Sequence, residues 1–306
     1  GLVRRVRAET RKWRPDAIVS YLAGPGMLGL VASLGRNRIP VVVSERSWNY
    51  RGVDFDARRR FLAFRIADRI VVNSASQLGF IQRNFPAIAQ RSIAIFNCVD
   101  TDRFVPALPR PHQELRIVVA ASVAAHKNVL GFVEALRLVV AREPSFRFHV
   151  DWFGKRGREE GGGRFTGNYF STVAAKLEND SLGGVIRFKG AVNDLHLRLP
   201  AYDVCCLPSF YEGCPNAICE AMAAGKPVLA SGVGDNLVHV KPNRNGLLFN
   251  PADSSSIADC ILEFSKICTA ERTKMGAENR RYAVESFSPA SFLRQYEELL
   301  HSIVRS

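Results

Sequence analysis

Residues 203–230 read DVCCLPSFYEGCPNAICEAMAAGKPVLA, and their order decides the fold. Residues 204–207 are a short apolar run ended by Pro208, the pattern of a buried strand. A loop carrying Glu212 and Gly213 follows. The pattern then predicts a helix over 217–224, starting near Pro215-Asn216, carrying Glu220 in its first turns and closed by Gly225. Residues 227–230 form a second apolar strand. Strand, loop, helix and strand in succession is a parallel-sheet unit, because parallel strands need a crossover and the helix supplies it.

The alternation extends in both directions. Toward the C-terminus, helices are predicted over 255–265, 270–284 and 289–304. Upstream, strands at 115–121, 146–153 and 185–189 alternate with helices at 128–142, 169–177 and 194–199, and the glycine-rich stretch 155–167 reads as a loop. The segment PALPRP at 106–111 holds three prolines and cannot sit inside a helix or a central strand, so it reads as a linker. Before it, strands at 17–22, 40–44, 69–73 and 93–96 alternate with helices at 2–14, 27–34, 57–68 and 76–84, with AGPG at 23–26 read as a turn. Two α/β runs joined by a proline linker predict two Rossmann-like domains with parallel sheets. Ligands of such sheets bind beyond the carboxyl ends of the strands, and the natural site is the cleft between two such domains.

The chemistry in 203–230 rests on few groups. Gly213 lets backbone approach a ligand closely. The free amides at the helix start favour an anion or an array of hydroxyls. Glu212 and Glu220 offer two carboxylates, which accept hydrogen bonds from polyols such as ribose or a hexose. On spacing alone two glutamates are more often surface acids. The whole string changes that balance. It resembles the glycosyltransferase family 4 signature, in which P-S-x-x-E-G, a proline and E-A-M-A-x-G-x-P-V occur together, and it keeps the family's E-x7-E spacing. FNCVDTDRF at 96–104, VIRFKG at 185–190 and NGLLFNP at 245–251 resemble further segments of that family.

The resemblance implies a GT-B fold and a retaining, nucleotide-sugar-dependent hexosyltransferase, with no metal and no cofactor beyond the co-substrate. It implies an acceptor-side domain at 1–109, a nucleotide-sugar domain at 110–285, and a last helix at 286–306 that crosses back to the first domain. Glu220 would bond the donor ribose. Glu212 would lie near the donor sugar, whose hydroxyls the amides of Gly213, Cys214, Pro215 and Asn216 would hold as far as each carries one. Lys127 matches the family lysine that neutralises the donor diphosphate, where a cation opposes charge that grows as the glycosidic bond breaks. The family's arginine five residues earlier is Ser122 here, and Lys189, Arg187 or Arg46 would have to replace it. The glutamate of the family's G-G-x-x-E is also absent, at Val238. These departures keep open a second reading, a weak or inactive nucleotide-sugar-binding subunit on the same fold. The resemblance also implies a preceding glycine-rich turn with its strands, ~60–80 residues at ~30 per βαβ unit, which leaves the first sheet incomplete.

The 306 residues carry a net charge of +13. Residues 1–110 hold 19 Lys+Arg against 8 Asp+Glu, and residues 111–306 hold 23 against 21. The asymmetry points to an anionic partner for the first part. No nucleic-acid motif accompanies it, so the reading is a phosphorylated or polyprenyl-diphosphate-linked glycan acceptor, or an anionic membrane surface met by the basic helices at 2–14 and 57–68. A cytoplasmic location, peripheral on the inner membrane face, follows from that reading. Glu45 and Arg46, at a strand end, are candidates for acceptor or phosphate binding, with a surface ion pair as the competing reading. Asp100-Thr101-Asp102 matches D-x-D but reads as a turn. His126 reads as an exposed loop histidine. The seven cysteines have no zinc-ligand spacing with a second half and read as reduced thiols in small buried sites.

Overall fold

The computed structural model describes residues 1–34, 38–46, 52–107, 113–155, 169–178 and 181–304. Most of the glycine-rich loop and most of the proline run fall outside the described residues. The chain forms two compact units, residues 1–98 with 289–306, and residues 99–288.

The first unit opens with α1 (Leu2–Trp13), then β1 (Ile18–Tyr21), α2 (Ala23–Ser33), β2 (Val41–Glu45), α3 (Phe55–Ala63), β3 (Arg69–Val72), α4 (Ala75–Asn84), the short α5 (Pro86–Ala89) and β4 (Ser92–Ala94). The strands form a parallel sheet in the order β1-β2-β3-β4. AGPG is not a turn. It is the first turn of α2, where Pro25 lies among the residues whose N–H groups have no intrahelical partner. Asp54 caps α3 by accepting from Ala57 N–H (2.7 Å), and Ser74 caps α4 through Gln77 N–H (3.1 Å). On one face of the sheet, Val41, Val43, Ile70 and Val72 pack with Phe61, Phe64, Ile81 and Ile88.

The second unit runs β5 (Leu115–Ala120), α6 (Val129–Arg142), β6 (Phe148–Phe153), α7 (Tyr169–Glu178), β7 (Ile186–Gly190), α8 (Leu195–Arg198), β8 (Val204–Leu207), α9 (Asn216–Ala223), β9 (Val228–Ser231), α10 (Asn236–His239), β10 (Gly246–Phe249), α11 (Ser254–Lys266) and α12 (Thr269–Phe287). Its six parallel strands lie in the order β10-β9-β8-β5-β6-β7. β8 and β9 are buried along their whole length, as strands covered on both faces must be. Gly225, at φ +66°, ends α9 with its N–H on Met222 O (2.9 Å).

The last helix, α13 (Pro289–Val304), belongs to the first unit. There Tyr296, Leu299 and Ile303 pack with Val42, Val71 and Ile95. The second unit begins at Val99, ahead of the proline run. Arg280 of α12 explains the position. Its Nη1 donates to the carbonyls of Thr101 (2.8 Å), Phe104 (2.7 Å) and Ala223 (2.9 Å), and Val99 N–H bonds Phe287 O (2.8 Å). Five backbone carbonyl and amide groups are thereby satisfied, which ties 99–104 to α12 and α9.

Candidate functional site

β5 and β8 are neighbours in the second sheet, so the segments leaving their carboxyl ends run side by side. After β5 the chain makes one 3-10 turn, Ala125–Lys127, and Asn128 takes a left-handed conformation (φ +56°) before α6. Asn128 Nδ2 donates to Pro251 O (2.7 Å), which fixes that corner. After β8 come Pro208, the buried Ser209, and then Glu212 and Gly213 ahead of α9. The two segments are stitched together. Phe210 N–H donates to His126 O (2.9 Å), and the His126 ring stacks on Tyr211 at 5.3 Å and 19°. Lys127 Nζ then lies 2.5 Å from Glu212 Oε1, with side chains 17% and 10% exposed. A pair this sheltered is weakly screened, and removal of one partner strands the other charge.

His126 is half-buried rather than exposed. Burial, then the neighbouring Lys127 charge, hold its pKa below the ordinary 6.5, and Glu212 opposes them. Burial also raises the Glu220 carboxyl to about 7 against the pull of Arg103. Its side chain, half-buried on α9, has no hydrogen-bond or ion-pair partner among the described residues. Ser209 Oγ, on the same loop, is buried without a partner as well. Unpaired buried acceptors are costly, and both stand beside the Lys127–Glu212 corner in sequence.

Two glycines hold this corner by close approach. Gly234, at φ +52° in the turn after β9, would place a Cβ 1.9 Å from Glu212 O; the next residue, Asp235, donates its N–H to Gly213 O (3.2 Å). Gly154, at the end of β6, would place a Cβ 1.8 Å from Ala121 O and 3.0 Å from the Cα of Ser122. Ser122 is half-buried there, and Val123 N–H bonds Lys155 O (2.9 Å).

The remaining candidates lie apart. Lys189 is on β7, the far edge of the sheet and two strand spacings, ~10 Å, from β5. It pairs with Asp151 Oδ1 (3.8 Å), whose other oxygen accepts from Tyr202 OH (2.7 Å). Pro215 is buried as the residue before α9, and Asn216 is exposed at its first position. A cavity of about 460 Å³, lined by Asp203, Lys226, Pro227, Arg272 and Arg280 among others, opens at the amino ends of β8 and β9, the end opposite to the Lys127–Glu212 corner.

In the first unit, Glu45 is fully buried, with Oε2 3.0 Å from Arg60 Nε on α3. It is part of the interior, and Arg60 is not on a solvated face. Arg46 reaches the other way. Its Nη1 donates to Asn97 Oδ1 (2.7 Å), its Nε to Ser44 Oγ (3.1 Å), and its guanidinium lies 5.0 Å from the Tyr21 ring centroid. Asn73 Nδ2 shares Asn97 Oδ1 (3.1 Å). Asp100 Oδ1 accepts from the amides of Asp102 and Arg103, the turn expected of that D-x-D. Among the described residues no helix is long and apolar enough to cross a membrane.

One grouping was not legible in the sequence. Cys214 and Cys219 lie within 4.8 Å of His239, and all three are buried. The third member comes from α10, twenty residues beyond Cys219, and no spacing rule links them.

The two parallel-sheet Rossmann-like domains define a GT-B protein. The fold matches a glycosyltransferase from Rickettsia africae ESF-5 with a TM-score of 0.85 at 18% identity, over 100% of this chain and 81% of that one. It also matches Anabaena HepE in complex with UDP-glucose, with a TM-score of 0.81 at 21% identity, over 98% and 82%. A family model described as glycosyl transferases group 1 covers residues 114–266, half of the chain, and one described as Glycosyltransferase Family 4 covers residues 1–103. The chain belongs to the glycosyl transferases group 1 family. It is similar to the D-inositol 3-phosphate glycosyltransferase of Streptomyces scabiei (strain 87.22), 27% identical over 252 residues, 78% of this chain and 55% of the relative. A second relative is the MMP alpha-(1->4)-mannosyltransferase of Mycolicibacterium hassiacum, 26% identical over 268 residues, 85% of this chain and 61% of the relative. The chain spans about half the length of the curated relatives it matches.

Proposed function

We propose that this protein moves a hexose from a UDP- or GDP-type nucleotide sugar to an acceptor hydroxyl with retention of configuration. The observation that carries the reading is the 2.5 Å contact between Lys127 and Glu212, which joins two parts of the family signature at the carboxyl ends of adjacent strands. Lys127 is the cation for the donor diphosphate. Glu220, a half-buried carboxyl without a partner among the described residues, accepts the ribose hydroxyls. Glu212 and the backbone of Gly213 to Asn216 border the donor sugar. As the bond from sugar C1 to the diphosphate oxygen breaks, the acceptor oxygen bonds C1 on the same face and its proton passes to the departing phosphate. Charge then builds on the diphosphate, where Lys127 opposes it. The complex of HepE with UDP-glucose is consistent with a UDP-type donor.

Arg46, held by Ser44 and Asn97 at the carboxyl end of β2, is our candidate for a phosphate of a polyprenyl-diphosphate-linked acceptor. α1 supports a membrane-surface site for that acceptor. It carries Arg4, Arg5, Arg7, Arg11 and Lys12, buries none of its residues, and exposes Leu2 (63%) and Trp13 (75%). Flotation with anionic vesicles tests this part, and no binding at low salt would refute it.

One observation favours a second reading. Ser122 stands where the family has an arginine, and Lys189, paired with Asp151, is a poor replacement for it. A binding subunit without transfer activity would result. A thermal-shift titration with UDP, GDP, ADP and their sugars, on this chain and its Glu220→Ala variant, tests donor binding. Ligand at 100 times its dissociation constant stabilises by about 2.7 kcal/mol. A shift with one nucleotide, lost in the variant, supports the donor site, and sugar transfer in a radiolabel assay then separates enzyme from binding subunit. No shift with any nucleotide would refute the proposal.

A further inference from the structure

Cys214 lies in the Glu212 loop, Cys219 on α9, and His239 at the end of α10. Their donor atoms converge. Cys214 Sγ is 3.7 Å from Cys219 Sγ and 3.8 Å from His239 Nε2. Tetrahedral zinc, with Zn–S of ~2.3 Å and Zn–N of ~2.0–2.1 Å, requires an S–S edge of about 3.8 Å and an S–N edge of about 3.6 Å. The two edges at Cys214 have those dimensions, and the third, from Cys219 Sγ to His239 Nε2, is within 4.8 Å. Asp235, one helical turn before His239, places Oδ2 3.9 Å from Nε2, but its carboxylate lies outside the group formed by the two sulfurs and the ring nitrogen. The opposite ring nitrogen, Nδ1, is 2.9 Å from Tyr282 OH. That is the arrangement of a metal-ligating histidine, whose second nitrogen is held by an outer partner that sets the tautomer.

Burial sharpens the case. Cys214 is 7% exposed, and Cys219, Asp235 and His239 are 0–1%. Two thiols and an imidazole packed together away from water form a donor cluster of the kind a zinc-class cation takes. The donor set selects the ion, because two sulfurs and a nitrogen suit zinc and reject calcium and magnesium.

We propose that Cys214, Cys219 and His239 form a structural site for a zinc-class divalent cation. Binding turns two thiols into thiolates, and their two protons leave to solvent as the metal–sulfur bonds form. All three donors are buried, so the ion is structural rather than catalytic. Its effect is mechanical. Cys214 is two residues from Glu212. The ion therefore ties the Glu212 loop, α9 and α10 into one block. The site stands whether or not the protein transfers sugar, since metal content is read without any donor.

The test uses the whole chain purified under reducing conditions without chelator. Elemental analysis is expected to find one zinc per chain after gel filtration. Chelator-stripped protein titrated with Co²⁺ is expected to give the intense visible bands of tetrahedral cobalt with thiolate charge transfer, saturating at one equivalent. Neither readout needs a substitution, so a misfolded variant cannot spoil the test. Cys219→Ser and His239→Gln should each lose the signal, and Cys268→Ser, at an exposed cysteine, should keep it. A metal content far below one per chain, together with only the weak spectrum of octahedral cobalt, would overturn the proposal. Recovery of Cys214 and Cys219 as a disulfide from freshly reduced, anaerobically handled protein would overturn it too.

Discussion

Gly234→Ala tests whether the Glu212 loop is held where the structure has it. Two costs combine at this residue. Its φ of +52° is left-handed, which costs a side chain roughly 1–2 kcal/mol. The new Cβ would also stand 1.9 Å from Glu212 O and 2.9 Å from its carbonyl carbon. Those are backbone atoms, so relief requires the loop to move, an overpacking cost of roughly 1–3 kcal/mol. The sum is about 2–5 kcal/mol. At roughly 2–4 °C per kcal/mol for a body of this size, the melting temperature should fall on the order of 10 °C. Gly190→Ala separates the terms, because Gly190 has φ +76° and nothing within 4 Å of the added carbon. It should show the conformational cost alone, a fall of a few degrees. Thermal melts of both variants by circular dichroism, with nucleotide affinity by calorimetry, give the comparison. Gly234→Ala should also bind nucleotide at least tenfold more weakly, because the displaced loop leads directly into α9 and shifts the proposed ribose acceptor Glu220, while Gly190→Ala binds as the parent does. Equal melting temperatures for the two variants, with unchanged nucleotide affinity, would refute the argument that Gly234 positions the loop.

Three further expectations follow from the same geometry. Glu220→Gln should weaken nucleotide binding by about 10–100-fold, the worth of hydrogen bonds to a charged acceptor, yet leave the melting temperature of the free protein unchanged or higher, since its carboxyl has no partner among the described residues to lose; calorimetry and melting together check both halves. The folded state holds the His126 pKa below 6.5, so the unfolded chain binds the proton more readily; stability from this group is present above pH 6.5 and is lost as pH falls through the depressed folded value. Melting profiles between pH 5 and 8 should therefore fall less steeply on the acid side in His126→Gln. Arg60→Met strands the buried Glu45 charge and should cost ~3–5 kcal/mol, most of it recovered in the Arg60→Met/Glu45→Met double variant; denaturant unfolding of the three proteins measures it.

The sheets were largely legible because parallel strands covered on both faces are apolar runs: VVVSE, RIVV, LRIVVA, VCCL and VLAS each stand out. The failures have separate causes. AGPG reads as a turn by composition, yet proline is tolerated in a first helical turn, so the same residues start α2. β10 is four residues between Asn245 and Asn250, and only its register with β9 makes it a strand. The boundary at Val99 depends on Arg280, some 180 positions later, and no local signal carries that. Lys127 and Glu212 were each singled out in the sequence, but their contact is a product of strand order. Glu45 with Arg60, and Cys214 and Cys219 with His239, are partnerships between separate elements. Their members look like ordinary surface ions and small apolar fillers one at a time.

The Lys127–Glu212 contact bears on selectivity. The lysine is already neutralised before any ligand arrives, so an incoming anion must trade places with a carboxylate. Chloride or acetate, with one charge, gains nothing by the exchange. A diphosphate carries more charge than the group it displaces and more oxygens over which to spread it, and on the proposed reading it alone makes the trade favourable. The released carboxylate is then left beside the sugar, free to accept its hydroxyls. Glu212 would thus screen out simple salts in the resting protein and recognise the substrate once the right anion has taken its place.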